Sequence, residues 1–247
     1  MRPTLKLAHC SDVHLDYDYY GGERNISKHE YYRDLFGKLL ADISAASPDV
    51  MLLAGDLFDH NRAADPTVEW AMEMLGKLAF PVVMIPGNHD CLTENAIYRR
   101  HDFNRIANVS LLDELHGQTV ELNEFNLAVW GRGMHEHTPE NQPLHGVPTG
   151  LNGGNWHIGM GHGIPVATGV DCINSSPIHE VQIDTSEFDY LALGHLHAVR
   201  DVSTENSTAF YCGAPSPVLD ERGTWLMTTL EEGKTAQVEI VELDLNS

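Results

Sequence analysis

Residues 50–56 read VMLLAGD, an unbroken apolar run that ends in a glycine and a carboxylate. A run without polar alternation is typical of a strand buried on both faces in the middle of a parallel sheet. Residues 5–9 (LKLAH) and 81–85 (PVVMI) also predict buried strands, and residues with helical spacing separate the three strands, at 28–46 and about 66–78. The first half therefore predicts a β-α-β-α-β unit. Ligands of such open α/β sheets bind at the carboxyl ends of the strands.

The second half of the chain is poorer in helix. Strand-like segments recur at 109–112, 118–122, 126–131, 156–160, 190–194, 198–203, 208–212, 224–230 and 236–243. They predict a second, mixed or antiparallel sheet packed on the first. Two longer stretches, 132–154 and 163–187, interrupt these segments, and the first is rich in Gly, Pro, Asn and His without periodicity. Because no repeat or linker divides the chain, we expect residues 1–247 to form one domain.

Five short polar motifs follow the predicted strands. They are Asp12-x-His14, Gly55-Asp56-x-x-Asp59, Gly87-Asn88-His89-Asp90, Gly161-His162 and Gly194-His195-x-His197. Their predicted ligands are two carboxylates (Asp12 and Asp56), one amide oxygen and four imidazoles, about the number that two divalent metals need. Alone, Asp12-x-His14 is better explained as a polar exit from a strand, and a Gly-His pair as chance. Gly55-Asp56 and Gly87-Asn88 could be turn chemistry, since Asp and Asn tolerate turn dihedrals. Their shared position at strand ends favours one metal site.

The ligand types indicate how two metals would be held. Asp56 ends the central strand and is the natural bridge between them, while Asp12 and His14 would complete the first metal. Asn88 offers a neutral carbonyl oxygen. The ligands from the second sheet are His162, His195 and His197. Mixed imidazole and carboxylate ligands suit Mn, Fe, Zn, Ni or Co better than Mg or Ca, and manganese is our first expectation.

The same motifs predict hydrolysis at phosphorus. A hydroxide that bridges the metals and is acidified by them would be the nucleophile of an in-line displacement. His89 follows a ligand without needing to be one, so it could stabilise the phosphoryl oxygens or protonate the leaving oxygen. Asp59, one turn past Asp56, could hold the His89 ring and raise its basicity.

Other polar residues near the motifs each have two interpretations. His135 and His137 lie on the long 132–154 stretch and would contact substrate or only solvent, and we prefer the second interpretation. Arg62 and Arg132 would either meet phosphate oxygens or form surface ion pairs.

The charge of the chain argues against a nucleic-acid surface. Lys and Arg number 15 against 36 Asp and Glu, and a net charge of −21 repels a phosphate backbone. DNA stays a candidate substrate only if the charge is unevenly spread. The best local basic cluster contains Arg99, Arg100, His101 and Arg105, and it is more simply interpreted as a solvated helix face.

The cysteines indicate a reducing compartment. Cys10, Cys91, Cys172 and Cys212 are far apart and form no CxxC pair. The first two adjoin metal motifs, where a disulfide would be awkward, so we expect reduced thiols and a cytoplasmic location. The N-terminus is too short and polar for a signal peptide, and no apolar run has the length of a membrane span. We therefore expect a soluble protein with no membrane partner.

These motifs, in this order, resemble those of the calcineurin-like binuclear metallophosphoesterase superfamily, from about residue 5 to residue 214. The resemblance implies an α/β fold, a four-layer α/β/β/α sandwich of two mixed sheets flanked by helices. It implies one metal bound by Asp12, His14, Asp56 and His197 and another bound by Asp56, Asn88, His162 and His195. It also implies that His89 is the catalytic histidine and that Asp59 orients it.

Within that superfamily, several motifs are similar in sequence to those of SbcD-type DNA repair exonucleases. The similar segments are 55–59, 86–90, 189–197 and 211–215. Those nucleases typically continue into a capping domain and a segment that docks a coiled-coil ATPase, whereas about fifty residues, predicted as strands, follow His197 here. This difference and the acidic charge argue against processive work on duplex DNA and against an ATPase partner of the SbcC kind.

Three functions are open at this point. The first is a metal-dependent phosphodiesterase, with a DNA exonuclease or endonuclease of the SbcD kind as its leading subtype. The second is a phosphomonoesterase that acts on a nucleotide, a small metabolite or a phosphoprotein, although a monoester would want more cationic contacts than the few arginines near the motifs supply. The third is a non-catalytic scaffold, which should show broken ligand motifs, and none is broken.

Overall fold

The computed structural model describes residues 2–17, 26–151, 153–167, 169–170, 172, 174–216 and 222–244. The strands are β1 (Leu5–Cys10), β2 (Val50–Ala54), β3 (Val82–Ile85), β4 (Val109–Leu111), β5 (Gln118–Leu122), β6 (Leu127–Gly131), β7 (Trp156–His162), β8 (Ile164–Val166), β9 (Pro177–His179), β10 (Tyr190–Gly194), β11 (Val199–Asp201), β12 (Ala209–Cys212), β13 (Thr224–Leu230) and β14 (Gln237–Glu242). The helices are α1 (Ile26–Ala46), α2 (Asp65–Gly76), α3 (Ile97–Arg100) and α4 (Glu180–Asp184), with 3-10 turns at Phe103–Arg105 and Asn123–Phe125. None of the described helices is long and apolar enough to cross a membrane.

The first sheet has the strand order β14-β13-β1-β2-β3-β4. Strands β1 to β4 are parallel; β13 pairs antiparallel with β1, and β14 pairs antiparallel with β13. Every residue of β2 is buried, as its uninterrupted apolar run predicts. The β-α-β-α-β unit is confirmed, since α1 connects β1 to β2 and α2 connects β2 to β3. Pro66 lies in the first turn of α2, where a missing N–H is tolerated.

The second sheet has the strand order β11-β12-β10-β7-β6-β5. Strands β12, β10, β7 and β6 are parallel, and the edge strands β11 and β5 are antiparallel to their neighbours. The predicted second sheet is thus confirmed and is mixed. The sequence missed β8, β9 and α4 inside the 163–187 stretch, because elements of three to five residues are too short to show a period. The described residues of the 132–154 stretch form no helix or strand.

Three apolar clusters hold the layers together. Side chains alternate along β1, so that Leu5 and Leu7 face the second sheet while Ala8 and Cys10 face the layer of α1 and α2. A third cluster covers the outer face of the second sheet and includes Ile183 of α4. Full burial of a large apolar side chain contributes about 1.5–3 kcal/mol. The result is an α/β sandwich whose outermost layer, α4 and loops, is thinner than the helical layer on the other side.

The topology brings the ends of five strands together. Strand β2 packs against both β7 and β10 between the sheets. The carboxyl ends of β1, β2 and β3 therefore meet those of β7 and β10, and each of the five polar motifs lies at one of these ends. The assignment of β4, β13 and β14 to the second sheet was wrong: β4 pairs with β3, and β13 and β14 pair beside β1, so all three belong to the first sheet. That residues 1–247 form a single domain stays a prediction.

Candidate metal centre

Left-handed backbone turns aim the first ligands. Asp12, His14 and Asp56 have φ values of 56°, 54° and 54° at the ends of β1 and β2. A left-handed conformation costs a residue with a side chain about 1–2 kcal/mol. Backbone bonds between the two turns offset this strain: the Asp12 N–H donates to the Gly55 carbonyl at 3.1 Å, and the Val13 N–H donates to the Asp56 carbonyl at 2.8 Å. The adjacent strand ends thus fix each other.

Glycines in the motifs let the two sheets approach each other. A Cβ on Gly194 would lie 2.0 Å from the Ala54 carbonyl oxygen, across the interface between the sheets. A Cβ on Gly55 would lie 2.3 Å from Nδ1 of His162, and its φ of 96° also favours glycine. Glycine is therefore needed beside the ligands, because a side chain there would prevent the close approach of the strand ends.

One group of donors surrounds His14. Its Nε2 lies 3.2 Å from Nε2 of His197 and 3.9 Å from Oδ1 of Asp12, and His197 Nε2 is 3.6 Å from the same oxygen. Asp12 is fully buried, and among the described residues its Oδ1 has no hydrogen-bond donor. A buried carboxylate oxygen without a donor is unfavourable unless a cation neutralises it. This donor set fits a divalent transition metal.

A second group of donors surrounds His162. Its Nε2 lies 3.3 Å from Oδ2 of Asp56 and 3.0 Å from Oδ1 of Asn88. The same Asn88 oxygen is 2.8 Å from Nδ1 of His195. Asp56 Oδ2 also lies 4.0 Å from Nε2 of His14, so one carboxylate oxygen faces both groups. The structure brings together all seven side chains that the sequence predicts as metal ligands.

Outer hydrogen bonds fix the tautomers of two of these histidines. Nδ1 of His162 lies 2.7 Å from the Ala54 carbonyl oxygen, and Nδ1 of His14 lies 3.1 Å from Oδ1 of Asp59. Since both partners accept hydrogen bonds, each Nδ1 carries a hydrogen, and a bound metal would displace the proton on Nε2, the atom that faces the site. Such outer partners are usual for ligating histidines.

The pKa values of the histidines reflect this setting. Burial lowers the pKa of His14, but the hydrogen bond to Asp59 and the charge of Asp56 outweigh it and raise that pKa above its usual value. Burial, together with the charge of His162, lowers the pKa of His195 to about 4. Burial also lowers the pKa of His197. His195 and His197 are therefore neutral at pH 7, which is the form that binds metals.

His89 lies at the mouth of the site with 41% of its side chain exposed. Its Nδ1 is 2.7 Å from the backbone carbonyl oxygen of Asp59 and 3.5 Å from the carboxylate, which is nearer to His14. The main-chain carbonyl of Asp59, rather than the carboxylate that was predicted, is therefore the nearer contact of the His89 ring. His14, Asp56 and His89 also lie close enough to share an ion. The catalytic role of His89 stays a prediction.

No role was predicted from the sequence for Asp90, the last residue of its motif, which is a buried carboxylate next to the ligands. Asp90 accepts hydrogen bonds from the N–H groups of Gly87 and Phe58, at 2.8 and 3.2 Å, and from the Tyr98 hydroxyl at 2.6 Å. Burial and the charge of Asp56 raise the pKa of Asp90 to about 6. Asp90 thus joins the loops after β2 and β3, and its proximity to the Gly-Asn-His triplet was the available signal.

Of the two arginines near the motifs, Arg132 is hydrogen-bonded to the backbone. Arg132 donates to the carbonyls of Leu115 and Gln142, at 2.8 and 2.5 Å, and these bonds are not the surface ion pair of one interpretation; contact with phosphate stays a prediction. Arg62 is exposed. His135 lies 3.1 Å from the Asp113 carbonyl oxygen, whereas His137 reaches the site and is considered below.

The basic cluster is engaged with its own surroundings. Arg100 and His101 contact Asp65, Arg105 contacts Asp102, and Arg99 donates to the carbonyls of Leu92 and Thr93. These contacts agree with the interpretation as a solvated surface.

The chain belongs to the calcineurin-like phosphoesterase family, which matches residues 5–199. Members of this family are hydrolases that depend on divalent metals, and the resemblance stated from the motifs is confirmed. The two clusters of His and Asp described above are the candidate ligands for those metals.

Two curated relatives are similar to most of the chain. The DNA double-strand break repair protein Mre11 of Methanopyrus kandleri is 25% identical over 281 residues, which cover 97% of this chain and 57% of the relative. The SbcD component of the nuclease SbcCD of Staphylococcus saprophyticus is 24% identical over 234 residues, which cover 85% of this chain and 60% of the relative. The chain therefore spans less than two thirds of the length of each.

The crystal structure of a dimetal phosphatase from Danio rerio has the same fold. Its TM-score is 0.62 at 11% identity, over 97% of this chain and 99% of that one. The predicted α/β sandwich of two mixed sheets is thus confirmed.

Proposed function

We propose that this chain is a binuclear metal-dependent phosphodiesterase. The observation that carries the proposal is the position of Asp56, whose Oδ2 lies 3.3 Å from His162 Nε2 and 4.0 Å from His14 Nε2. Two metals held about 3.5–4 Å apart need such a shared carboxylate between them. A site for one metal would leave the second group of donors unused.

The side chains divide between two ions as the family resemblance implies. One ion would be held by Asp12, His14, Asp56 and His197, and the other by Asp56, Asn88, His162 and His195. When bound, such ions lower the pKa of water and polarise phosphoryl oxygens. His89 keeps a hydrogen on Nδ1 for the Asp59 carbonyl, so Nε2 is the atom that exchanges a proton with the leaving oxygen.

Manganese is the metal that we propose, and iron, zinc, nickel or cobalt are alternatives that the same donors accept. A cytoplasmic location belongs to the same proposal. Cys10, Cys91, Cys172 and Cys212 are free thiols, as expected in a reducing compartment.

A phosphodiester is favoured over a phosphomonoester because few arginines lie near the motifs in the sequence. Arg132 is committed to backbone carbonyls, and a monoester would bring additional negative charge that needs cationic partners. The names of the two relatives, a DNA repair protein and a nuclease component, make DNA the first diester to test. The net charge of −21 disfavours tight binding of long duplexes.

The test is Mn²⁺-dependent hydrolysis of bis(p-nitrophenyl) phosphate, p-nitrophenyl phosphate and end-labelled single- and double-stranded DNA. Asp56→Asn is the control, since it weakens the shared ligand at nearly constant size. Cleavage of DNA by the wild type alone supports a nuclease, and cleavage of only the small diester supports a small-molecule phosphodiesterase. Preference for the monoester, or no Mn²⁺-dependent hydrolysis at all, contradicts the proposal.

A further inference from the structure

We propose that Ser175 and His137 are positioning residues for the metal ligand His195. The inference rests on the binuclear site proposed above. The two residues come from the 163–187 and 132–154 stretches, which lie between strands of the second sheet.

The ring of His195 has one side toward the donors and one side away from them. Its Nδ1 lies 2.8 Å from Oδ1 of Asn88, and its ring centroid is 5.2 Å from that of His162. If Nδ1 binds a metal, the hydrogen of the neutral imidazole must lie on Nε2. A ligating histidine normally donates this second hydrogen to an outer partner that fixes its orientation.

Ser175 is placed to be that partner. Its hydroxyl oxygen lies 3.5 Å from Nε2 of His195 and 2.9 Å from Nε2 of His137. A hydroxyl both accepts and donates, so it can accept from His195 while donating to His137. Ser175 is buried, which limits the water that could replace its hydroxyl.

His137 holds the other side of this arrangement. Its ring packs edge-on against that of His195, with centroids 5.7 Å apart and an interplanar angle of 66°. The His195 ring is thus held by a hydroxyl at Nε2 and by a second imidazole. These contacts come from the 132–154 and 163–187 stretches, which contain none of the predicted metal ligands.

The neighbouring serine has a different task, which provides a matched control. Ser176 is also buried, but its hydroxyl donates to the Thr138 carbonyl at 3.1 Å and accepts from the Asn141 amide at 3.0 Å. Ser176 therefore fastens the two stretches to each other, and Ser175 reaches the ligand.

Loss of the Ser175 hydroxyl should weaken one metal and spare the other. Removal of an outer partner commonly lowers metal affinity about 10–100-fold. We expect Ser175→Ala to lower the affinity for the metal ion that His195 binds by about tenfold or more. His137→Ala should lower the same affinity. Ser175→Thr keeps a hydroxyl and should stay near the wild type.

The experiment is calorimetric titration of Mn²⁺ into the chelator-stripped whole chain, for the wild type and for Ser175→Ala, Ser175→Thr, His137→Ala and Ser176→Ala. Support requires that Ser175→Ala weaken one of two sites while Ser176→Ala lowers only the melting temperature. Unchanged affinities in Ser175→Ala overturn the inference, and so does equal weakening by Ser176→Ala, which would indicate simple loop closure. A wild type that binds fewer than two Mn²⁺ ions contradicts the proposed function instead.

Discussion

Asp56 and His162 come from different sheets, yet their side chains meet in a buried contact, with Asp56 Oδ2 3.3 Å from His162 Nε2. Burial lowers the pKa of His162, but the charge of Asp56 outweighs it and raises that pKa to about 9. Burial conversely raises the pKa of Asp56, and the charge of His162 brings it below its usual range. A positive charge at this point, on a proton or a metal, therefore joins the two sheets.

Binding of metal should consequently stabilise the fold. The buried carboxylates of Asp12 and Asp56 face the same space, and a ligand present at a hundred times its Kd contributes about 2.7 kcal/mol per site. We expect a higher Tm in Mn²⁺ than in chelator. Asp12→Asn should reduce the difference because it removes a charge that the metal neutralises. Equal Tm values in the two conditions would contradict this expectation.

Gly194→Ala should disrupt the contact between the sheets. The added Cβ would lie 2.0 Å from the Ala54 carbonyl oxygen and 2.8 Å from Nδ1 of His162, so backbone must move. Overpacking of this kind typically costs about 1–3 kcal/mol. We expect a loss of that size in the free energy of unfolding, together with weaker Mn²⁺ binding.

Gly37→Ala is the matched control for this substitution. Gly37 lies within α1, and nothing is found within 4 Å of its added Cβ. Replacing a helical glycine by alanine usually stabilises by about 0.5–1 kcal/mol. Urea unfolding of both variants measures the contrast, and a Gly194→Ala variant as stable as the wild type would show that the strand ends are not held this closely.

Asp90→Ala should destabilise the loops that present Asp56 and Asn88. Asp90 takes hydrogen bonds from two backbone N–H groups and from the Tyr98 hydroxyl, and each buried donor left without an acceptor costs about 1–3 kcal/mol. We expect a loss of about 3 kcal/mol or more by urea unfolding. Tyr98→Phe removes only one of these donors and should cost less. A smaller loss in Asp90→Ala than in Tyr98→Phe would contradict the conclusion that Asp90 joins these loops.

The ligands could be predicted from the sequence because the strands that carry them are unmistakable. The apolar run of β2 fixes where the strand ends, and with it the positions of Gly55 and Asp56. The same reasoning applies to Asn88 after β3 and to His162 at the end of β7. Parallel strands bring such residues to one edge whatever the intervening helices are.

The outer contacts could not be predicted in the same way. The Asp59 carboxylate lies nearer to His14 than to His89 because of left-handed turns that spacing does not reveal. Ser175 lies in a stretch whose path depends on the short pairing of β8 with β9. Both contacts are set by tertiary packing rather than by a local period.

The stability of the fold should fall as the pH drops below about 6.5 partly because of His9. This residue is fully buried between the sheets, with Nδ1 2.8 Å from the Tyr190 hydroxyl oxygen, and burial lowers its pKa from 6.5 to about 3. The unfolded chain then binds more protons at His9 than the folded chain between these pH values, so stability rises with pH there. The slope for one such group is at most about 1.4 kcal/mol per pH unit.

His9→Gln tests this slope, since an amide can still bond to Tyr190 but does not titrate. The free energy of unfolding is measured in urea with chelator at several pH values from about 4.5 to 7. Its slope against pH should be smaller in the variant, because the variant takes up about one proton fewer on unfolding. The same pH dependence in both proteins would show that His9 is protonated in the folded chain.

His89→Ala should remove most turnover and leave metal binding intact. The ring is largely outside the two donor groups, but it lies within reach of an ion shared with His14 and Asp56, and the two rings of His14 and His89 are 4.6 Å apart. A proton donor typically contributes about 10²–10⁴-fold to the rate. The loss should therefore be large for a dinucleotide, whose alkoxide leaving group needs a proton, and small for bis(p-nitrophenyl) phosphate, whose nitrophenolate does not. Kinetics on the two substrates and Mn²⁺ calorimetry measure these quantities. Equal losses on both substrates with fewer bound ions would make His89 a ligand, and unchanged turnover on the dinucleotide would remove it from the reaction.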